Sequence, residues 1–171
     1  MISVFSEVMA AQWRAPLTLT HNTFEIRKTY EAAPSAVFGA FAFQDRKSRW
    51  YAASPALEPL SYSFDFRPGG EEKLTARMLP GTPIAGKELC WTSTYAEIIE
   101  NERIVFFQTL DVDHARVSAA VVTVEIRDIG ERAEVVLTHQ AAYFEGADGP
   151  EMRQIGWEYL LDTMASSMQL A

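Results

Sequence analysis

The chain has 171 residues, of which 48% are hydrophobic and 22% are charged, as in an ordinary globular domain. Its 15 basic and 23 acidic residues give a formal net charge of −8, which disfavours nucleic acid and anionic membrane surfaces as partners. The single cysteine excludes an internal disulfide framework and cysteine-rich metal sites. No apolar run is long enough to span a bilayer. We expect one soluble, cytoplasmic domain with no cofactor and no bound metal.

Residues 1–22 are predicted to form an N-terminal extension, followed by a single domain over residues 23–171. The extension lacks the basic start and continuous apolar stretch of a secretory signal. Apolar residues at helical spacing predict a short amphipathic helix in it, formed by Ile2, Phe5, Met9 and Trp13. This helix would pack on the domain or on a second subunit, so a homodimer is possible.

The rest of the chain predicts mixed secondary structure. Residues 23–30 alternate polar and apolar, which indicates a strand. Pro34 suits the first turn of a helix, and a second short helix is expected over residues 44–50. Six further strands follow in three hairpins, over residues 62–66 and 72–78, 88–99 and 103–110, and 116–127 and 132–140.

A long helix then extends from Gly149-Pro150 to about Gln169. This element order predicts an α+β fold, in which the helix covers one face of an antiparallel sheet.

Seven short motifs occur in a characteristic order along residues 23–168. They are Ala33-Pro34-x-x-Val37-Phe38-x-Ala40-Phe41, Trp50, Asp65-Phe66-Arg67-Pro68-Gly69-Gly70, Tyr95-x-Glu97-Ile98, Glu102-Arg103-Ile104-Val105-Phe106, Glu134-Val135-x-Leu137-Thr138-His139 and Gly156-Trp157. Together they resemble the START-like (SRPBCC) superfamily, in the branch named for the activator of the heat-shock chaperone ATPase. The resemblance implies a helix-grip (START/Bet v-like) fold, in which a curved antiparallel sheet wraps a long C-terminal helix around an apolar cavity.

A shared fold hosts many activities. The relatives that the resemblance implies include carriers of hydrophobic ligands, polyketide cyclases and chaperone cofactors. Our leading hypothesis is a non-enzymatic module that binds a small hydrophobic or amphipathic molecule between the sheet and the C-terminal helix. The alternatives are an acid–base enzyme of the polyketide cyclase kind and a chaperone ATPase cofactor. The last is weaker, because the eukaryotic activator has a separate N-terminal domain and only 22 residues precede the first strand here.

His139 is the candidate catalytic or ligand-orienting group, since the alternation of Val135 and Leu137 places it on the inner face. An imidazole in an apolar cavity could act as a base or orient a polar ligand; the alternative is a hydrogen-bonded core histidine. The side chains expected to line the cavity could equally be plain core. They are Trp50, Phe64, Phe66, Leu74, Met78, Trp91, Phe107, Val124, Leu137, His139, Trp157, Leu160 and Met164.

Other polar residues are expected to play smaller parts. Glu97 would be a buried acid if it faced inward with Tyr95, but an outward Glu97 with Ile98 inside avoids a desolvation cost. Asp65 and Arg67 suggest a surface ion pair. Asp111-x-Asp113-His114 is expected to lie in a solvated loop, and Cys90 is expected to be an inert buried thiol.

Overall fold

The computed structural model describes residues 18–169, so the helix expected around Ile2 to Trp13 lies outside the described residues. Seven strands and three helices follow one another along the described part of the chain. They are β1 (Thr20–Tyr30), α1 (Pro34–Ala42), α2 (Gln44–Tyr51), β2 (Leu57–Phe64), β3 (Glu71–Met78), β4 (Glu88–Ile99), β5 (Arg103–Val112), β6 (Ala115–Asp128), β7 (Ala133–Tyr143) and α3 (Gly149–Gln169).

The strands form one sheet in the order β1-β7-β6-β5-β4-β3-β2. Every neighbouring pair is antiparallel, and β1 and β2 are the two edge strands. Bulges interrupt the register between Pro59 and Ser61, between Tyr95 and Glu97, and between Leu110 and Asp111. Each bulge adds bend and twist to its strand, and the curved sheet wraps around α3 as in a helix-grip fold.

The long helix α3 covers the inner face of the sheet. Its inward residues Trp157, Leu161 and Met164 are 4%, 0% and 0% exposed. The Tyr30 hydroxyl of β1 donates a hydrogen bond to the Leu161 carbonyl, at 3.0 Å. Lys28 of the same strand forms an ion pair with Asp162. These contacts fix the helix along β1 and close the core. None of the helices within residues 18–169 is both long enough and apolar enough to cross a membrane.

The sequence-based boundaries match the structure closely in β4 and less well in the edge strand β2. The β4 strand has the predicted bounds, and Gly69 adopts the positive φ of +77° expected at the turn before β3. The β2 strand begins at Leu57 rather than at Tyr62. Its Pro59 masks the pattern, but a proline is tolerated there because β2 is an edge strand and bulged at that point.

Candidate functional site

Polar side chains lie on the inner face of the sheet, where an ordinary core would be apolar. Glu72 of β3 pairs with Ser93 of β4, which pairs with Gln108 of β5. All three are at most 4% exposed. The same cross-strand row continues through Ala120 and Ala141. The row is therefore polar from Glu72 to Gln108, carries only methyl groups at Ala120 and Ala141, and ends at the partly buried Asn22 of β1.

At the polar end, four residues form a closed hydrogen-bonded group, here called the lysine cluster (Lys47, Tyr62, Glu72 and Tyr95). Lys47 of α2 lies 2.6 Å from the Glu72 carboxylate and donates to the Tyr95 hydroxyl at 3.2 Å. The Tyr95 and Tyr62 hydroxyls donate to the two Glu72 oxygens at 2.6 and 2.7 Å. Lys47 and Glu72 are 3% and 1% exposed, so this ion pair is removed from water.

Aromatic rings surround the Lys47 ammonium. Its Nζ lies 4.9 Å from the ring centre of Tyr51 and 5.7 Å from that of Phe64, distances at which cation–π attraction operates. Burial, reinforced by the Glu72 charge, raises the pKa of Tyr95 and of Tyr62 far above the usual range. Both phenols therefore stay protonated. The cluster uses its donors and acceptors internally, which suits it to fixing α2 against β3 and β4.

At the other end of the inner face lies a second group, here called the histidine site (Phe24, His139, Tyr143, Arg153 and Trp157). The His139 ring is 0% exposed and stacks on the Phe24 ring, with centroids 4.8 Å apart and planes 9° apart. The Trp157 ring of α3 lies 6.5 Å away. Burial, with a smaller contribution from Arg153, lowers the pKa of His139 to about 4. The imidazole is therefore neutral near pH 7.

Two side chains of the histidine site carry buried polar atoms that lack hydrogen-bond partners among residues 18–169. These atoms are both ring nitrogens of His139 and the hydroxyl of Tyr143. The two rings are 6.4 Å apart, and between them on β7 the inner face carries only the methyl group of Ala141. Since buried polar groups in proteins are nearly always paired, three such atoms together mark an unusual place in this core.

Arg153 completes the histidine site from the first turns of α3. Its guanidinium donates to both oxygens of Asp148, at 2.8 and 2.6 Å, and to the Ser118 hydroxyl at 3.1 Å. It also lies 5.4 Å from the centre of the Tyr143 ring. The Arg153 charge is thus neutralised by the Asp148 carboxylate.

Two open grooves occur on the surface of the described residues. The larger, of about 640 Å³, lies where α1 meets α2 and faces β2. Its lining residues are Ala42, Phe43, Gln44, Asp45, Ser48, Phe64 and Phe66. The smaller, of about 390 Å³, lies along β1 and β7 and includes Asn22 and Ala141. Neither groove has a lining residue from α3. Beneath α3, where the sequence analysis expected a cavity, Trp157, Leu161 and Met164 are packed on the inner face.

Apart from Phe107, the residues expected to line that cavity divide into three groups. Most are core residues on the inner face or under the helices, as expected from their periodicity: Trp50, Leu74, Val124, Leu137, His139, Trp157 and Met164 are buried. Phe64, Phe66, Trp91 and Leu160 are partly buried against this core. Met78 packs instead in a small separate cluster around Leu89, Leu110 and Val117.

The prediction for Phe107 is wrong. Its side chain is 54% exposed, whereas the neighbouring Phe106 is 3% exposed. Adjacent strand residues point to opposite faces, and Phe106 takes the inner one. Phe107 lies on the outer face of the sheet, away from the histidine site.

The alternative chosen for Glu97 is confirmed, and the bulge after Tyr95 explains it. Tyr95 points inward and is 1% exposed. The bulge reverses the parity, so Glu97 is exposed and bonds Arg103 at 2.7 Å. The Arg103 guanidinium lowers the pKa of the Glu97 carboxyl, and Ile98 packs partly buried against the core.

The structure also gives the contacts of the other polar residues considered in the sequence analysis. The surface pair of Asp65 and Arg67 is present at 2.9 Å. Asp113 bonds Lys87 at 2.7 Å, and no group of three or more potential metal ligands occurs within residues 18–169. Cys90 is partly buried and lies 3.7 Å from the Thr75 hydroxyl.

Sequence reasoning missed the lysine cluster and Arg153. In the alternation of their strands, Glu72 and Gln108 face the same side as the buried Leu74 and Phe106. A polar residue at such an inward position is a signal in the sequence that could have identified both. Lys47 gave a weaker signal, since it lies one helical turn before the buried Trp50. Its partner is 25 residues away in sequence, and no local pattern joins them.

Comparison with known proteins gives the family. The family model described as Activator of Hsp90 ATPase homolog 1-like protein matches residues 31–169. The Mll3558 protein from Rhizobium loti is 33% identical, covers 88% of this chain and 99% of its own, and superposes with a TM-score of 0.75. An uncharacterized protein from Rhizobium leguminosarum is 25% identical over 92% and 100% of the two chains, with a TM-score of 0.82.

A solved structure of lower sequence identity supports the fold alone. The AHSA1-like protein from Aeromonas hydrophila is 21% identical over 87% of this chain and 93% of its own, with a TM-score of 0.64. No curated protein matches the chain.

Proposed function

The chain belongs to the Activator of Hsp90 ATPase homolog 1-like family, and on that footing we propose that it binds a small hydrophobic or amphipathic molecule at the histidine site. The observation that carries the proposal is the set of three buried polar atoms on His139 and Tyr143 that have no partner within residues 18–169. A bound molecule would supply those partners. The aromatic rings of Phe24 and Trp157 would contact its apolar part.

The energetic reason is the cost of an unpaired polar group in a core. Leaving a buried donor or acceptor without a partner costs about 1–3 kcal/mol, whereas an apolar side chain of similar shape would cost nothing of the kind. His139 and Tyr143 thus reduce the stability of the unliganded protein. A ligand that pairs with them recovers this free energy, and burial of its apolar surface adds about 25 cal/mol per Å² before the costs of association.

Binding at this place requires side chains to move. Trp157, Leu161 and Met164 of α3 are packed on the inner face, so the ligand replaces part of their contacts rather than filling an empty cavity. A protein that must first rearrange binds with an apparent affinity reduced by the fraction of competent molecules. We therefore expect modest affinity and a displacement of α3 on binding.

An acid–base enzyme receives less support from the same residues. A catalytic base works best with a pKa near the operating pH, and burial holds the pKa of His139 at about 4. The buried carboxylate of Glu72 and the buried amine of Lys47 already bond each other. The histidine site is thus better suited to binding than to proton transfer.

The proposal is tested by a thermal-shift screen of lipids and polycyclic aromatic compounds. A ligand present at about 100 times its Kd adds about 2.7 kcal/mol of stability, which raises the Tm of a protein of this size by roughly 5–10 °C. A hit should lose its shift in the double variant His139→Leu/Tyr143→Phe and keep it in Phe107→Ser, whose side chain is on the outer face. No hit, or hits indifferent to the double variant, would refute the proposal.

Stimulation of the Hsp90 ATPase, which the family's name describes, is measured in parallel as a separate readout. Stimulation that the double variant leaves unchanged would place that activity outside the histidine site.

A further inference from the structure

The charge around the histidine site bears on the kind of polar group a ligand can carry. Arg153 is the cation of the site, but Asp148 accepts two of its hydrogen bonds, at 2.8 and 2.6 Å. A third bond goes to the Ser118 hydroxyl. An anionic ligand would have to compete with Asp148 for the guanidinium, and its charge would otherwise stand unpaired in a buried place. Such a burial is strongly unfavourable.

A cationic ligand meets the opposite difficulty. The Asp148 carboxylate is the negative charge that works to raise the pKa of both His139 and Tyr143, and it is already bound by Arg153. The Glu72 carboxylate belongs to the lysine cluster, where one ammonium and two phenols occupy it. Among residues 18–169, a ligand ammonium would therefore find no free negative charge at the histidine site.

The unpaired groups themselves are neutral and complementary. A neutral imidazole has one nitrogen that donates and one that accepts. The Tyr143 hydroxyl both donates and accepts, and burial raises its pKa, so it stays protonated. A ligand hydroxyl can donate to the imidazole nitrogen and accept from the phenol at the same time. A carbonyl oxygen can accept from the phenol or from the imidazole N–H, but it has no proton to donate to the accepting ring nitrogen, and a hydrocarbon pairs with none of these groups.

We infer that the ligand of the histidine site is a neutral, hydroxyl-bearing hydrophobic molecule, such as a phenol or an alcohol, rather than a carboxylic acid, a phosphate ester or an amine. The inference rests on the proposed function and specifies its ligand class. The hydroxyl lies between His139 and Tyr143, over Ala141, and the hydrocarbon part lies against Phe24 and Trp157.

The test is calorimetric titration at pH 7.5 with a matched series: naphthalene, 2-naphthol, 2-naphthoate and 2-naphthylmethylammonium. We expect 2-naphthol to bind about tenfold more tightly than naphthalene, as one or two buried hydrogen bonds would give. Both charged compounds should bind at least tenfold more weakly than 2-naphthol. In Tyr143→Phe the advantage of 2-naphthol over naphthalene should fall to about threefold or less. In Tyr30→Phe, where the deleted hydroxyl lies outside the site, it should remain.

The outcomes separate the inference from the proposed function. If 2-naphthoate or the ammonium compound binds as tightly as 2-naphthol, in a manner sensitive to His139→Leu, the ligand class is wrong and binding at the site stands. If naphthalene equals 2-naphthol, no hydroxyl is recognised and the inference again fails. If no compound of the series binds, the proposed function is contradicted together with it. Thermal unfolding of each variant confirms that it is folded before titration.

Discussion

Tyr143 and Tyr30 offer a matched pair for testing the unpaired state of the histidine site. Each phenol is 3% exposed, but the Tyr30 hydroxyl donates to the Leu161 carbonyl at 3.0 Å, whereas the Tyr143 hydroxyl has no partner within residues 18–169. Tyr30→Phe deletes a hydrogen bond and should destabilise the protein by about 1 kcal/mol. Tyr143→Phe deletes an unpaired buried group and should stabilise it by about 1 kcal/mol.

The predicted difference between the two variants is therefore about 2 kcal/mol in free energy of unfolding. Urea denaturation measures it from the midpoints, provided that the slopes agree. The corresponding Tm values should differ by roughly 4–8 °C for a chain of this length. If Tyr143→Phe destabilises as much as Tyr30→Phe, the Tyr143 hydroxyl is hydrogen-bonded in solution, and the reasoning that makes it a ligand contact is refuted.

Three further predictions concern charge and parity. Because the pKa of His139 falls from 6.5 to about 4 on folding, the unfolded chain binds more protons between these values. Stability should fall by up to roughly 3 kcal/mol as the pH drops from about 6.5 to about 4. Urea denaturation should show a loss that is larger by this amount in the wild type than in His139→Leu, and equal pH slopes would contradict it.

Lys47→Met and Glu72→Gln should each lower the free energy of unfolding by about 3–5 kcal/mol, because each single change leaves a buried charge unpaired. The double variant should lose less than the sum of the two single losses. Additive values in a denaturation cycle would show that the pair is not coupled. Phe106→Ala should cost about 3–5 kcal/mol and Phe107→Ala under about 1 kcal/mol, and comparable losses in thermal unfolding would mean that the assignment of faces is wrong.

Much of the fold follows from local patterns in the amino-acid sequence. The alternation in β6 and β7 sets which side chains face inward, and it placed His139 correctly. The turn before β3 depends on Pro68 and Gly69, whose backbone preferences are local. Such features need no knowledge of distant residues.

The remaining features depend on contacts between distant parts of the chain. The bulge after Tyr95 changes the parity of β4 and could not be read from alternation alone. The ion pair of Lys47 and Glu72 joins a helix to a strand across 25 positions. Phe107 was misplaced because its aromatic type suggested a cavity wall, although the inward position next to it was already taken by Phe106. The unpaired state of His139 likewise depends on what surrounds it in three dimensions.

The most direct measurement of ligand binding at the histidine site is a ¹⁵N NMR titration of histidine-labelled protein with 2-naphthol. The chain has three histidines, and the exposed His21 and His114 serve as internal controls. We predict a saturable shift of the His139 ring nitrogens, with the signals of His21 and His114 unchanged. Binding measured by calorimetry that leaves the His139 nitrogens unmoved would show that the molecule sits elsewhere and would contradict this account.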